Sequence, residues 1–152
     1  MPKKTELKDP VKLKKTVKSK KDNYISVVGR RKEATARVRL YPNKKGEITV
    51  NEKPIEQYFP TEWMSQIYSA PLRTCNVIGK YQITVKVNGS GNMGQLGAVT
   101  LGIARALALL DPEKNHQILR RRGYLTRDSR TRERRKVGKG GKARRSKQSP
   151  KR

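Results

Sequence analysis

The chain ends in a segment that cannot build a core. Between Arg120 and Arg152 stand 16 Lys and Arg against two acids, Asp128 and Glu133, so this segment carries +14 of the chain's formal +26. After Leu125 the only large aliphatic residue is Val137, and no aromatic follows. So little apolar area cannot offset the entropy of ordering such a segment, which is expected to stay disordered until a polyanion holds it. Its richness in arginine points to a phosphodiester backbone, because a guanidinium grips phosphate bidentately and stacks on bases.

The remaining charge is uneven. Residues 1–22 hold nine Lys and three acids, with Pro2 and Pro10 and no hydrophobic period. They read as a Lys-rich arm, disordered unless bound. Residues 23–119 hold 13 basic and seven acidic residues. The expected organisation is one globular body at 23–125 between an arm at 1–22 and an extended tail at 126–152. A body of this size buries roughly 60–70% of its unfolded surface, enough for one hydrophobic core.

Composition also excludes several functions. Cys75 and His116 are single residues of their kinds. A structural zinc site needs about four Cys or His ligands, so no metal is expected. One cysteine forms no intrachain disulfide, which fits a reducing compartment. The longest apolar stretch, Leu101 to Leu110, is broken by Arg105 and falls short of a membrane span. The N-terminus has lysines without an apolar run and does not read as a secretory signal.

Within the body two hydrophobic periods are visible. Tyr24-Ile25-Ser26-Val27-Val28 reads as a strand, followed by Gly29-Arg30-Arg31-Lys32 as a basic connection. Ala34, Ala36, Val38 and Leu40 alternate with Thr35, Arg37, Arg39 and Tyr41, the pattern of a half-buried strand. Pro42 to Gly46 has turn composition, and Ile48 and Val50 resume the alternation. Residues 34–51 are therefore expected to form an antiparallel hairpin. Short helices are expected at 54–59 and 61–69, with Trp63, Ile67 and Tyr68 as packing residues. Tyr81, Ile83, Val85 and Val87 make another strand, with Gln82, Thr84 and Lys86 outward and the loop 88–94 after it.

From about Gln95 the period changes to that of a helix. Leu96, Val99, Ile103, Leu107 and Leu110 line one face, while Gly97, Ala98, Gly102, Ala104 and Ala106 keep the helix slim. Asp111 and Pro112 suit the cap and first residue of a last helix. Arg120, Arg121 and Arg122 suit its C-terminal dipole, and Gly123 its left-handed termination. Interspersed strands and helices predict an α+β fold, a mostly antiparallel sheet with helices on one face.

No catalytic constellation emerges. The lone histidine has no Ser, Cys or Asp set beside it, and the acids are scattered. Gly89-Ser90-Gly91-Asn92-Met93-Gly94 spells G-x-G-x-x-G between a strand and a helix. A dinucleotide fold would also need a βαβ unit and a ribose-binding acid about 20 residues on. Asp111 stands near that distance but reads as a cap. The loop is either a tight turn or a backbone nest for a phosphate, with Gly89, Gly91 and Gly94 as its candidates. The basic features are several and could converge: Arg30, Arg31 and Lys32 at a strand end, Arg37 and Arg39 on one strand face, and Arg120, Arg121 and Arg122 at the tail's start. That is the footprint of nucleic-acid binding.

These residues also spell a family. Gly29-Arg30-Arg31-Lys32-Glu33-Ala34-Thr35-Ala36-Arg37-Val38 resembles the opening motif of the ninth small-subunit ribosomal protein family, in its bacterial or organellar form. Gly91-Asn92-Met93-Gly94-Gln95, with Gly102-Ile103-Ala104-Arg105-Ala106-Leu107, resembles that family's central loop and helix. Leu119 to Asp128, then Arg130, Glu133-Arg134-Arg135-Lys136 and Gly138, resembles its tail entrance. The resemblance covers residues 23–152.

It implies a four-stranded sheet with helices on one face and a left-handed βαβ crossover, as in the second domain of the fifth small-subunit ribosomal protein. It implies a structural constituent, not an enzyme, of the small subunit of a cytoplasmic or organellar ribosome. Its partners would be the ribosomal RNA of the subunit head, neighbouring head proteins and the peptidyl-site tRNA, with no cofactor, membrane or small-molecule substrate. RNA contacts would come from the strand and helix residues named above. In the tail they would come from Arg127, Arg130, Arg134, Arg135, Lys136, Lys139, Arg144 and Arg145. Gln148, Lys151 and Arg152 would meet the tRNA. The chain departs from the family at the tip, where Ser149 replaces the usual aromatic and Pro150 the usual Ser. A general nucleic-acid-compacting protein is the alternative, sharing the charge without needing ordered motifs. A metabolite kinase of the same crossover fold would need a metal-binding acidic group at the glycine loop, and the sequence has none there.

Overall fold

Period-two alternation governs the first half of the body. In the computed structural model, which describes residues 23–134, strand β1 (Ile25–Arg31) pairs antiparallel with β2 (Ala34–Tyr41). β2 in turn pairs antiparallel with β5 (Gln82–Asn88). β3 (Ile48–Val50) lies parallel to β5 on its other side, and β4 (Lys53–Pro54) closes the edge. The order is β1-β2-β5-β3-β4. The arm at 1–22 and residues 135–152 lie outside the described residues.

Three expectations about the sheet are corrected. The basic segment Gly29–Lys32 is not a connection: β1 runs on to Arg31, and Lys32 (φ 50°) with Glu33 makes a two-residue turn. The hairpin is therefore β1–β2, not 34–51. β5 inserts between β2 and β3, because the loop after Pro42 runs past the start of β5, where the Gln82 N–H donates to the Lys44 carbonyl at 2.8 Å. The sheet has five strands rather than four, β4 being only two residues long, and one of its pairings is parallel. Parallel β3 and β5 are joined through the helical segments, which gives a βαβ connection.

Helix α1 (Ile55–Tyr58) is a single turn, and α2 (Glu62–Thr74) is longer than expected. Pro71 does not end α2. It lies four residues from the C-terminus, and its ring is fully buried, so packing outweighs one lost hydrogen bond. Of the three packing residues expected there, only Tyr68 is core. Trp63 and Ile67 are 42% and 39% exposed.

Helix α3 (Asn92–Leu110) starts three residues earlier than its period suggested and is buried nearly all round. By length and apolarity it could cross a membrane, which corrects the reading of a ten-residue stretch. Its apolarity serves the core instead, where Leu96, Val99, Ile103 and Leu107 pack on Val38, Leu40, Ile83 and Val85. α3 meets β1 backbone to backbone at Gly29. A Cβ there would overlap the Ala98 carbonyl oxygen, and one on Gly102 would strike Val38 Cγ2 at 2.5 Å. α4 (Pro112–Arg121) folds back on α3, where Asn115 Nδ2 donates to the Leu107 carbonyl at 3.1 Å. Asp111 sits at its N-cap but makes no side-chain capping bond. The end is as expected: Gly123 has φ +75°, and the Tyr124 N–H reaches back to the Leu119 carbonyl at 3.0 Å.

Candidate nucleic-acid interface

With the helices on one face, the other face of the sheet is open. Inward positions of β1, β2 and β5 are buried, so alternation sends Ser26, Val28, Arg30, Thr35, Arg37, Arg39, Thr84 and Lys86 the other way. No Asp or Glu occupies an outward position on these three strands. The register sets the charges in rows. Val28, Arg37 and Lys86 share one row, Ser26, Arg39 and Thr84 the next, and Arg30, Thr35 and Asn88 the one beyond.

Arg37 and Lys86 are direct cross-strand partners, and both are exposed. Like charges so placed have Cβ atoms about 5 Å apart and repel, which weakens the sheet by roughly 0.2–1 kcal/mol. Neither has an acidic partner among the described residues. An anion lying over such a pair would relieve the repulsion. Arg39 is better held, its guanidinium carbon 5.0 Å from the centroid of the Tyr24 ring, which itself leans on Tyr41 at 5.7 Å. Rings and guanidinium together make a small stacking platform beside the charge.

Arg31 points the other way. It lies over Gly97 of α3, and its Nη2 meets Asp128 Oδ2 at 2.9 Å. Arg130 grips the same carboxylate, with Nε on Oδ1 at 3.0 Å and Nη2 on Oδ2 at 2.9 Å. Those hydrogen bonds, then the charges of Arg130 and Arg31, hold the Asp128 carboxyl well below the usual carboxylate range. The root of the tail is thereby tied to the end of β1. Tyr124 and Leu125 pack half-buried against the core just before it.

The predicted basic residues therefore divide. Arg30, Arg37 and Arg39 share the open face, and Lys86 joins them. Lys86 was legible as an outward residue, but its place beside Arg37 depends on the β2–β5 pairing. Arg120, Arg121, Arg122 and Arg127 are exposed on the helical side, with Arg130 and Arg134 following. Arg122 Nη1 reaches Thr74 Oγ1 at 3.5 Å. Lys32 occupies the tip of the β1–β2 turn. Arg135, Lys136, Lys139, Arg144, Arg145, Gln148, Lys151 and Arg152 lie outside the described residues.

The glycine loop is held from within. Tyr58 O–H donates to Gln95 Oε1 at 2.7 Å, and Gln95 Nε2 donates to the Gly89 carbonyl at 3.2 Å. Asn51 continues the network, with Nδ2 on the Val87 carbonyl at 3.0 Å and Oδ1 accepting from the Val87 N–H at 2.9 Å. The Gly89 N–H is taken by Asn88 Oδ1 and the Gly94 N–H by the Gly91 carbonyl. Of the three candidate glycines, only Gly91 keeps an N–H with no acceptor among the described residues.

Nothing in this arrangement suits catalysis. Among the described residues no three His, Cys, Asp or Glu are grouped to hold a metal ion. Burial pushes the Cys75 thiol up, away from a reactive thiolate.

Residues 29–152 match the family described as ribosomal protein S9/S16. The chain is 49% identical over 123 residues to the small ribosomal subunit protein uS9 of Maridesulfovibrio salexigens, covering 81% of this chain and 92% of that protein. It is 48% identical over 113 residues to the protein of the same name from Tropheryma whipplei (strain Twist), covering 74% and 73%. The match to the Leifsonia xyli protein of that name is 44% over 113 residues.

Proposed function

The chain belongs to the ribosomal protein S9/S16 family, and on that premise we propose that its open sheet face and its tail bind the RNA of the small subunit. It is a small-subunit ribosomal protein, a structural part of a ribonucleoprotein and not an enzyme. The observation that carries the RNA reading is the row Arg37–Lys86, two like charges in register on a face without acids. Cations fixed on a sheet lose little entropy when phosphate arrives. A general compacting protein would not need this ordered row.

The body sits in the head of the subunit of cytoplasmic ribosomes, and the tail leads away from Asp128 toward the peptidyl site. There Gln148, Lys151 and Arg152 meet the anticodon stem-loop of tRNA. The free Gly91 N–H, just before α3, offers a second phosphate contact. The same family reading makes the connection between β3 and β5 a left-handed crossover.

The test is binding of the full chain to small-subunit RNA across a salt series. Each phosphate neutralised contributes a slope of about −0.9 in log K against log salt for duplex and about −0.7 for single strands. Joint replacement of Arg30, Arg37, Arg39 and Lys86 by Gln should flatten the slope by about three units. An unchanged slope refutes the sheet face as the interface.

A further inference from the structure

Along the edge of the sheet opposite β1 the surface changes sign. A groove of about 560 Å³ runs between β3, the start of α1, one side of α2 and the approach to β5. Its floor is apolar, with Ile55, Phe59 and Leu72 buried beneath it. Its rim holds Glu47, Glu56 and Glu62, three of the seven acids in residues 23–119, while Arg73 is the only cation lining it among the described residues.

Tyr68 adds a directional element. It lines the groove at 7% exposure, and its hydroxyl has no hydrogen-bond partner among the described residues. That hydroxyl is not fully enclosed, and Tyr68 is one of the residues that line the groove. Burial first, then the neighbouring Glu56 charge, pushes the Tyr68 pKa up, so the phenol stays protonated and able to donate. At the mouth Ile78 is 59% exposed.

We propose that this groove docks an extended Lys/Arg-rich peptide segment of a neighbouring protein in the same ribosomal subunit. The inference rests on the ribosomal reading above. Of the two macromolecules a small subunit contains, RNA is disfavoured here, because three carboxylates repel phosphate. They attract ammonium and guanidinium groups, whose aliphatic stems suit the apolar floor. The Tyr68 hydroxyl is placed to donate to a backbone carbonyl of the docked segment. The chain's own basic arm is a poorer occupant. It joins the body beside β1, three strands from β3, with the cationic face between.

The test places p-benzoylphenylalanine at Ile78 of the full chain, in cells, and irradiates purified small subunits. Mass spectrometry of the cross-linked product should find a Lys/Arg-rich peptide of another subunit protein. Its yield should fall at least fivefold in Glu47→Gln/Glu56→Gln/Glu62→Gln, with co-sedimentation unchanged. It should fall to a lesser degree in Tyr68→Phe, which removes only the hydroxyl. Cross-linking to RNA, to residues 1–22 of the same chain, or to nothing overturns the inference, as does a yield indifferent to the triple substitution. Absence of the protein from small subunits would sink the ribosomal reading itself, and this inference with it.

Discussion

Arg31 and Asp128 stand 97 residues apart in sequence and 2.9 Å apart in space. The contact spans the whole body, from the end of its first strand to the root of its tail. Asp128 is one of only two acids in the last 33 residues, and it is spent on the protein's own arginines. A carboxylate that would otherwise repel phosphate is neutralised, and the tail leaves from a fixed point.

Asp128→Asn should release that point without unfolding the body. The melting temperature should barely move, because the site is at the surface. Trypsin should cut after Arg127 and Arg130 severalfold faster than in the unaltered chain. Identical cleavage rates would show that the contact does not restrain the tail.

The same carboxylate yields a pH prediction. Its pKa in the folded chain is depressed, so its contribution is fully present above the unfolded value of about 3.9 and is lost only as pH falls through the much lower folded value. Carboxyl carbon NMR should therefore find Asp128 ionised from pH 7 down to about pH 3. In Arg130→Gln, which removes the largest cause of the depression, the midpoint should rise toward the ordinary range of about 3.9.

Arg37→Gln with Lys86→Gln should have effects of opposite sign on stability and binding. Removing cross-strand repulsion should stabilise the free protein by roughly 0.2–1 kcal/mol. RNA affinity should fall and the salt slope should flatten by between one and two units. Denaturant titration and filter binding on the same preparation read both. Loss of stability together with affinity would mean that the pair is structural.

Gly29→Ala should be the costliest single methyl group in the body. The added Cβ meets Ala98 carbonyl oxygen and the Gly102 nitrogen, backbone atoms that cannot turn aside. Overpacking of this kind costs about 1–3 kcal/mol, and here the upper end is expected. Urea unfolding checks it, and a loss under 1 kcal/mol would mean that α3 can shift.

Deleting Lys151 and Arg152 should leave incorporation into subunits intact, since most of the +26 remains. Dissociation of tRNA from the peptidyl site should quicken modestly, each exposed charge contact being worth on the order of 1 kcal/mol. Lys151→Gln with Arg152→Gln should behave alike, because Ser149 offers no ring to stack. An unchanged rate in both variants, at matched occupancy, refutes the tRNA contact.

Alternation and periodicity made most elements legible before the fold was known. Ala34 to Leu40, Ile83 to Val87 and Leu96 to Leu107 all lie in the core face assigned to them. What could not be read was which strand lies beside which. The pattern that makes β2 a strand fits β1, β3 or β5 as a neighbour equally well, and only the tertiary path placed β5 next to it. The face of Arg37 was visible in the sequence, whereas its partner Lys86 was not. Arg30 and Arg31 looked like one basic pair, yet a pleat sends neighbours to opposite sides. The helix expected at 61–69 runs on to Thr74, because Pro71 near its end is a buried core residue.

The outermost strands of the sheet are each partly blocked to newcomers. β1 has β2 on one side only, yet the Val28 carbonyl is already taken by Arg105 Nη1, which reaches across from α3 at 2.8 Å. At the far edge β4 is two residues long and ends in Pro54, which has no N–H to offer. An open edge would recruit any passing chain as an additional strand. A guanidinium over one edge and a proline on the other each remove a pairing group that copies made ahead of their RNA would use to join edge to edge.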